Sequence, residues 1–254
     1  MTAGSHALYL MHGMKRSGNH AITNWLLPQI KCVHFNNLIP VGKILLGRPM
    51  PDPKPFAGWR RQEELSRGTS LPRLLVTLED HDLRLMPFTG IDIPARSLLI
   101  LRDARQLFSS RVRKAFRVDM PAYPRAAGEV MERAVTLWKQ HARCFLGASD
   151  DCPARVAILF DAWFDDIAYR AAISAAMDLS FDDRGYGKVS PEGGGSSFDG
   201  TAFNGRAQFM GVANRYDELE PPETELLEAI FQDQELLELH QAVSEADPLR
   251  QMVL

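Results

Sequence analysis

Along the first two-thirds of the chain, unbroken apolar runs of strand length alternate with stretches whose apolar residues recur at helical spacing. The runs are Ala7–Met11, the shorter Lys31–Phe35, Leu74–Leu78, Ser97–Leu101 and Arg155–Phe160. A short apolar run without polar alternation suits a strand covered on both faces. Helical spacing follows at Ala21, Ile22, Trp25 and Leu26, where Pro28 ends the pattern. It returns at Leu107, Phe108, Arg111 and Val112, and again between Arg125 and Gly147, where Ala127, Val130, Met131, Ala134, Leu137, Trp138, His141 and Phe145 trace one face. His141 reads as a packed core histidine. Further helices are expected over Ile167–Met177 and, as one amphipathic element, over Glu223–Val243; Asp247-Pro248 opens a polar tail. Strands alternating with helices predict an α/β fold, a central, mostly parallel sheet flanked by helices in three layers. A single domain, 1–254, accommodates it, with its core in 7–165 and a C-terminal loop and helices in 166–254.

Three stretches break the pattern. Residues 40–59 hold five prolines (Pro40, Pro49, Pro51, Pro53 and Pro55) with three glycines, and read as a flap near an acceptor site or as a plain surface loop. Arg60, Arg61, Glu63 and Glu64 form a solvated turn. A break at 118–124 contains Pro121 and Pro124. Residues 182–205 are rich in glycine and serine, too polar for core.

Composition narrows the partners. The formal charge is -3, from 29 basic and 32 acidic residues, so no global field recruits nucleic acid or a membrane surface. Any anionic ligand has to be held by local basic clusters. The run Arg111, Arg113, Lys114, Arg117 reads as a solvated helix face, and no nucleic acid is expected. Cys32, Cys144 and Cys152 have no metal-type spacing, and their odd number predicts reduced thiols in a cytosol-like compartment. No apolar run reaches membrane-spanning length and no signal peptide is visible, so a cytoplasmic location is expected.

The chemistry gathers after the first strand. Gly13-Met14-Lys15-Arg16-Ser17-Gly18 joins it to the first helix, and strand, glycine loop and helix together aim backbone N–H groups at an anion. A phosphate suits the close wrapping that glycines allow. A Walker A loop would place Lys-Ser/Thr after the second glycine; here Asn19 and His20 follow, and the lysine lies inside the loop. A lysine inside the loop followed by Ser-Gly resembles the 5′-phosphosulfate loop of sulfotransferases that use 3′-phosphoadenosine 5′-phosphosulfate (PAPS). Asn19, His20 and Ala21 replace that family's usual threonines and aromatic residue, so the resemblance is to a divergent branch, of bacterial type. A second signature of the family is a strand ending in Arg-Asp-(Pro or Ala), with a serine eight positions after the arginine. Arg102-Asp103-Ala104 and Ser110 fit it. Phe160-Asp161-Ala162-Trp163 fits a later signature loosely.

The resemblance implies a P-loop-type fold and a sulfuryl group moved from PAPS to a hydroxyl or amine of a glycan, lipid or small-metabolite acceptor, with no metal. It implies that Lys15 stabilises the leaving phosphate and that Lys15, Arg16, Ser17, Gly18, Asn19 and His20 hold the 5′ end. Arg102 and Ser110 would grip the 3′-phosphate. The Gly193–Ser197 loop with Lys188 or Arg206 would close over it. The general base is expected at a strand end facing the loop, where Glu79-Asp80-His81-Asp82 follows Leu78. Glu79 and His81 are the candidates, with Asp80 beside them; as turn formers or a helix cap, the same residues need no catalytic role. Two other readings stay open: a P-loop kinase with magnesium on Asp103 or Asp161, and a nucleotide-binding module without catalysis.

Overall fold

The computed structural model describes residues 8–36, 73–84, 95–119, 124–149, 152, 156–191 and 194–252. The expected flap at 40–59, the turn at 60–64 and most of the break at 118–124 lie outside them. Five strands are present: β1 (Leu8–Gly13), β2 (Val33–Asn36), β3 (Leu74–Glu79), β4 (Ala95–Leu101) and β5 (Val156–Leu159). They pair in the order β2-β3-β1-β4-β5, and every pairing is parallel. Around them lie α1 (Asn19–Ile30), α2 (Ala104–Lys114), α3 (Pro124–Phe145), α4 (Phe160–Asp165), α5 (Ile167–Ala176), α6 (Pro221–Ile230), α7 (Gln234–Glu245) and α8 (Pro248–Gln251).

The period-two geometry of a strand explains the unbroken apolar runs. In β4, Leu98 and Ile100 join Tyr9, Met11, Val156 and Ile158 against α1, α4 and α5. Leu99 and Leu101 point the other way, with Ala157, against α2, α3, α6 and α7. Helices cover both faces, so this is the expected three-layer α/β sandwich. Each fully buried Leu or Ile contributes roughly 1.5–3 kcal/mol. At the outer edge of β5, the Ala157 amide donates to the Met252 carbonyl at 2.8 Å, and Met252 is buried. The expected polar tail therefore covers a sheet edge. Among the described residues, no helix is long and apolar enough to cross a membrane.

Several expectations are corrected. Pro28 does not end α1, which runs to Ile30 and stops at Lys31 in a left-handed conformation. A proline inside a helix leaves the carbonyl four residues back without its amide; here that carbonyl belongs to Asn24, and Gly185 packs so closely that an added Cβ would lie 2.2 Å from its oxygen. The fifth run gives up Phe160, which starts α4. The single helix over Glu223–Val243 is two, because Asp233 turns out of the helix and accepts the Leu236 amide as an N-cap. The cysteines are not all reduced: Cys144 and Cys152 form a disulfide with Cα atoms 5.2 Å apart, while Cys32 is free. Odd cysteine number says nothing about which pairs the fold brings together.

The bridge closes a short loop between α3 and the approach to β5, with eight positions of sequence separation. Chain-entropy arguments give such a loop about 2.5 kcal/mol. Cys152→Ser is expected to lower the urea midpoint accordingly, and reductant to lower wild type to the same value. An unchanged midpoint in both would show that the bridge contributes nothing to stability.

Candidate functional site

The chain leaves β1 towards β2 and β3, then crosses to β4 and β5. The crevice of such a sheet opens at the carboxyl ends of the strands where the direction reverses, here β1, β3 and β4. The loop 13–18 sits there. The Ser17 amide donates to the Met14 carbonyl at 3.0 Å, and two residues turn left-handed, Arg16 at φ 73° and Gly18 at φ 92°. Gly18 has a second reason to be glycine: an added Cβ would lie 2.1 Å from the Phe160 ring. At Gly13 it would lie 2.0 Å from Asn19 Oδ1. The first-turn amides of α1 follow directly, and such amides have no acceptor within their helix.

Neighbouring strand ends brace this loop. From β3, the Asp80 amide donates to the Gly13 carbonyl at 3.0 Å, and its carboxylate accepts the Lys15 amide at 3.0 Å. Arg111 of α2 forks onto both Asp80 oxygens at 2.9 and 3.1 Å and also reaches the Lys15 carbonyl at 3.1 Å. Burial opposes ionisation of Asp80, but the Arg111 fork and the Lys15 amide outweigh it and hold its pKa below 3.8. Asn19 donates to Glu79 Oε1 at 3.0 Å and to the Met14 carbonyl at 3.1 Å. The Ser17 hydroxyl, fully buried, donates to Asn19 Oδ1 at 2.9 Å. From β4, Arg102 donates to the Arg16 carbonyl at 2.9 Å and to the Val212 carbonyl at 2.9 Å. Its guanidinium lies over the Phe160 ring, 5.0 Å from the centroid.

A cavity of about 480 Å³ opens against the loop, within the size range of small-molecule sites. Among the described residues, six cationic side chains line it, Lys15, Arg16, Arg102, Lys114, Lys188 and Arg215, against one carboxylate, Glu79. Phe160, Trp163, Phe164 and Tyr186 line it as well; Phe160 and Trp163 stack at 5.6 Å. Of the residues expected in the site, Lys15, Arg16, Gly18, Asn19, His20, Glu79, Arg102 and Ser110 lie together on its lining. Ser17 lies buried beneath. His81 is not on the lining; its carbonyl faces His141 Nε2 at 3.5 Å. His141 is the packed core histidine expected, and burial pushes its pKa down to about 4. Arg206 is exposed at the start of a short 3-10 turn, Ala207–Phe209, so of the two basic residues weighed for the closing loop, Lys188 is the one on the wall.

Sequence reasoning missed the arginine that the C-terminal region does bring in. Arg215 is 2% exposed, lies over the Phe198 ring, and pairs with Asp199 and Glu218. Only its basic character signalled it. Of the helix-face arginines, Arg113 is buried and Arg111 half-buried, while Arg117 is exposed as expected. Arg111 holds Asp80, Arg113 is buried against Glu223 at 3.0 Å and over Phe198, and Arg117 donates to the Ser197 carbonyl at 3.1 Å. With Arg16 donating to the Gly195 carbonyl at 3.1 Å, they tie the glycine-rich stretch across the cavity. Asp103 caps α2 by accepting the Gln106 amide, and Asp161 accepts the Asp103 amide at 2.7 Å. Burial raises the Asp161 pKa to about 6 despite Arg102 nearby. Among the described residues, no cluster of three His, Cys, Asp or Glu has the form of a metal site.

No family model and no curated protein matches the chain. Among solved structures, a mouse sulfotransferase complexed with PAP (adenosine 3′,5′-bisphosphate) aligns at 12% identity with a TM-score of 0.48, over 98% of this chain and 88% of that one. The functional reading rests on the residues themselves.

Because the Asp80 pKa is depressed on folding, its contribution to stability is fully present above 3.8 and is lost as pH falls through the lower folded-state value. Asp80→Asn is therefore expected to destabilise at neutral pH, with the gap to wild type closing in acid. Urea unfolding at several pH values checks this; a gap independent of pH would show that the carboxylate's charge is not what holds the loop.

Proposed function

We propose that this chain is a sulfotransferase that moves a sulfuryl group from PAPS to a hydroxyl or amine of a small-molecule, glycan or lipid acceptor. One observation carries the reading: a single cavity lined by six cationic groups and one carboxylate, with the Lys15 loop, the Arg102–Ser110 pair and an aromatic wall all on its surface. The donor has anionic groups at the 3′ and 5′ positions of its ribose and an aromatic base. Three buried polar atoms on that lining have no partner among the described residues, Arg102 Nε, Trp163 Nε1 and Ser197 Oγ, and buried donors of this kind call for an acceptor. The residues fit the donor.

The acceptor oxygen or nitrogen attacks sulfur as the bond from sulfur to the bridging oxygen breaks, and that bond's electron pair leaves on the 5′-phosphate. Lys15 and the amides at the start of α1 meet the charge that grows there. Their positions are fixed beforehand by Asp80, Arg111 and Asn19, so little reorganises as charge develops. Arg102 and Ser110 hold the 3′-phosphate, with Lys188 or Arg215 closing on it. The two groups that Arg102 bonds are carbonyls, which do not cancel its charge, and a guanidinium suits a phosphate. Glu79, the one carboxylate on the wall, accepts the proton that the acceptor loses. The charge neutralisation comes from Lys15 and the arginines, without a metal ion.

Calorimetric titration with adenosine 3′,5′-bisphosphate, ATP and adenosine 5′-monophosphate in chelator tests the donor site. The bisphosphate is expected to bind, the others weakly, and Arg102→Ala to weaken it by about tenfold or more. ATP binding restored by magnesium, with no preference for the bisphosphate, would replace this reading with a kinase. For the base, Glu79→Gln is expected to abolish most turnover while the bisphosphate still binds; unchanged turnover would move the assignment to His81.

A further inference from the structure

A chain of polar side chains leaves the cavity wall at His20 and runs between β2 and β3. His20 Nε2 lies 3.4 Å from Asn36 Nδ2. The Thr77 hydroxyl donates to Asn36 Oδ1 at 3.1 Å, and His34 Nε2 lies 3.4 Å from Thr77 Oγ1. At the cavity end, Glu79 Oε1 is 4.0 Å from His20 Nε2 and accepts Asn19 Nδ2 at 3.0 Å. His20 and Glu79 both line the cavity. His20 is half-exposed, and Glu79 faces it from β3.

The donors and acceptors along this chain fix its direction. With the Thr77 hydrogen given to Asn36 Oδ1, His34 Nε2 carries a hydrogen and donates to Thr77. Asn36 Nδ2 then donates to His20 Nε2, which is an unprotonated lone pair. If the Asn36 amide turns over, its oxygen accepts from a protonated Nε2, its NH2 meets the Thr77 oxygen, and the Thr77 hydroxyl rotates to suit. The chain thus satisfies His20 both as imidazole and as imidazolium. Among the described residues, the charged and titratable groups facing His20 come from β2, β3 and the loop. Glu79 is on β3. His34 on β2 is pushed down to about 4 by burial and by His20, so it stays neutral. Lys15 and Arg16, the latter close enough to feel the Glu79 charge, share the loop.

Resting on the sulfuryl-transfer reading above, we propose that Glu79 and His20 work as a proton-accepting couple. The acceptor O–H or N–H bond breaks and its electron pair forms the new bond to sulfur. The proton goes to the Glu79 carboxylate and, as the 4.0 Å gap closes to hydrogen-bond distance or one water bridges it, on to His20 Nε2, leaving a carboxylate beside an imidazolium. The charged pair is favoured over a neutral acid in the same place, so the proton does not return to the product. Histidine directly after Asn19 is then a catalytic residue and not only part of the phosphate loop.

Two arms test this on the full chain. Imidazole NMR titration, which needs no ligand, compares wild type with Glu79→Gln. With Glu79 as its partner across 4.0 Å, the His20 ring resonances are expected to move when the carboxylate is lost. No movement would overturn the couple. The second arm follows PAPS turnover to adenosine 3′,5′-bisphosphate and sulfate, with water as the acceptor, across the histidine pH range. His20→Gln is expected to lower kcat about 100-fold, to change the shape of the pH profile, and to change bisphosphate affinity less than about threefold. Added imidazole should restore part of the rate to His20→Ala. An unchanged profile, or a rate loss matched by lost bisphosphate affinity, would reduce His20 to a phosphate-loop residue. Wild type that fails to bind the bisphosphate would sink the sulfuryl-transfer reading, while the NMR arm would still decide whether the two side chains are coupled.

Discussion

Asp80 holds the site together. It sits at φ 55°, a conformation that costs a non-glycine residue about 1–2 kcal/mol, and its burial works against its charge. Both costs are offset because Asp80 joins three elements. Its amide ties β3 to the end of β1, its carboxylate fixes the Lys15 amide, and Arg111 brings α2 to the same point. The lysine that meets an incoming anion therefore starts from a backbone already placed. The carboxylate beside it is matched by the Arg111 fork, so it repels an anion less than a bare aspartate would.

The C-terminal half reaches the same cavity by a different device. Arg16, Arg102 and Arg117 donate to backbone carbonyls of Gly195, Val212 and Ser197. A carbonyl satisfies an arginine without cancelling its charge. These contacts position the 194–212 stretch and leave the positive potential in place, whereas Arg111, Arg113 and Arg215 face carboxylates and act as fasteners. Phe160 links both halves: Gly18 approaches its ring so closely that no side chain fits, and Arg102 lies over it. The loop and the arginine that the sequence separates by more than eighty positions meet on one ring.

The sheet and the two halves of the site nearest it are legible in the sequence because they are local patterns. A run such as Leu98–Leu101 announces its two buried faces, and Lys15 or Arg102 can be placed by the strand that ends just before it. What the sequence hides depends on distant partners. Nothing around Arg215 marks it; Gln106, which accepts its amide 109 positions away, and Phe198 put it on the wall. Arg113 has the spacing of a solvated face and is buried against Glu223 and the Phe198 ring. Pro28 stays within α1, and Gly185 packs against the Asn24 carbonyl that the missing amide leaves unbonded. The break at Asp233 is hidden by an apolar period that continues across it, since a cap and a helix interior can share one hydrophobic pattern. Cys144 and Cys152 meet because α3 ends beside the approach to β5, a fact of packing and not of spacing.

A net charge of -3 and a cavity lined by six cationic groups are compatible because their influence differs with place. Exposed charges more than about 10 Å apart are screened at ordinary ionic strength, so the acidic excess elsewhere hardly reaches the cavity. Within it, a low-dielectric aromatic wall lengthens the reach of Lys15, Arg102 and Lys188. The buried histidines around β1 do not add to this field: burial pushes His12 down to about 3 and His141 to about 4, so both are neutral when the site is at work. The field at the cavity is thus set by fixed arginine and lysine charges and by Glu79. Under the couple proposed for Glu79 and His20, it changes by one proton only when the acceptor gives one up.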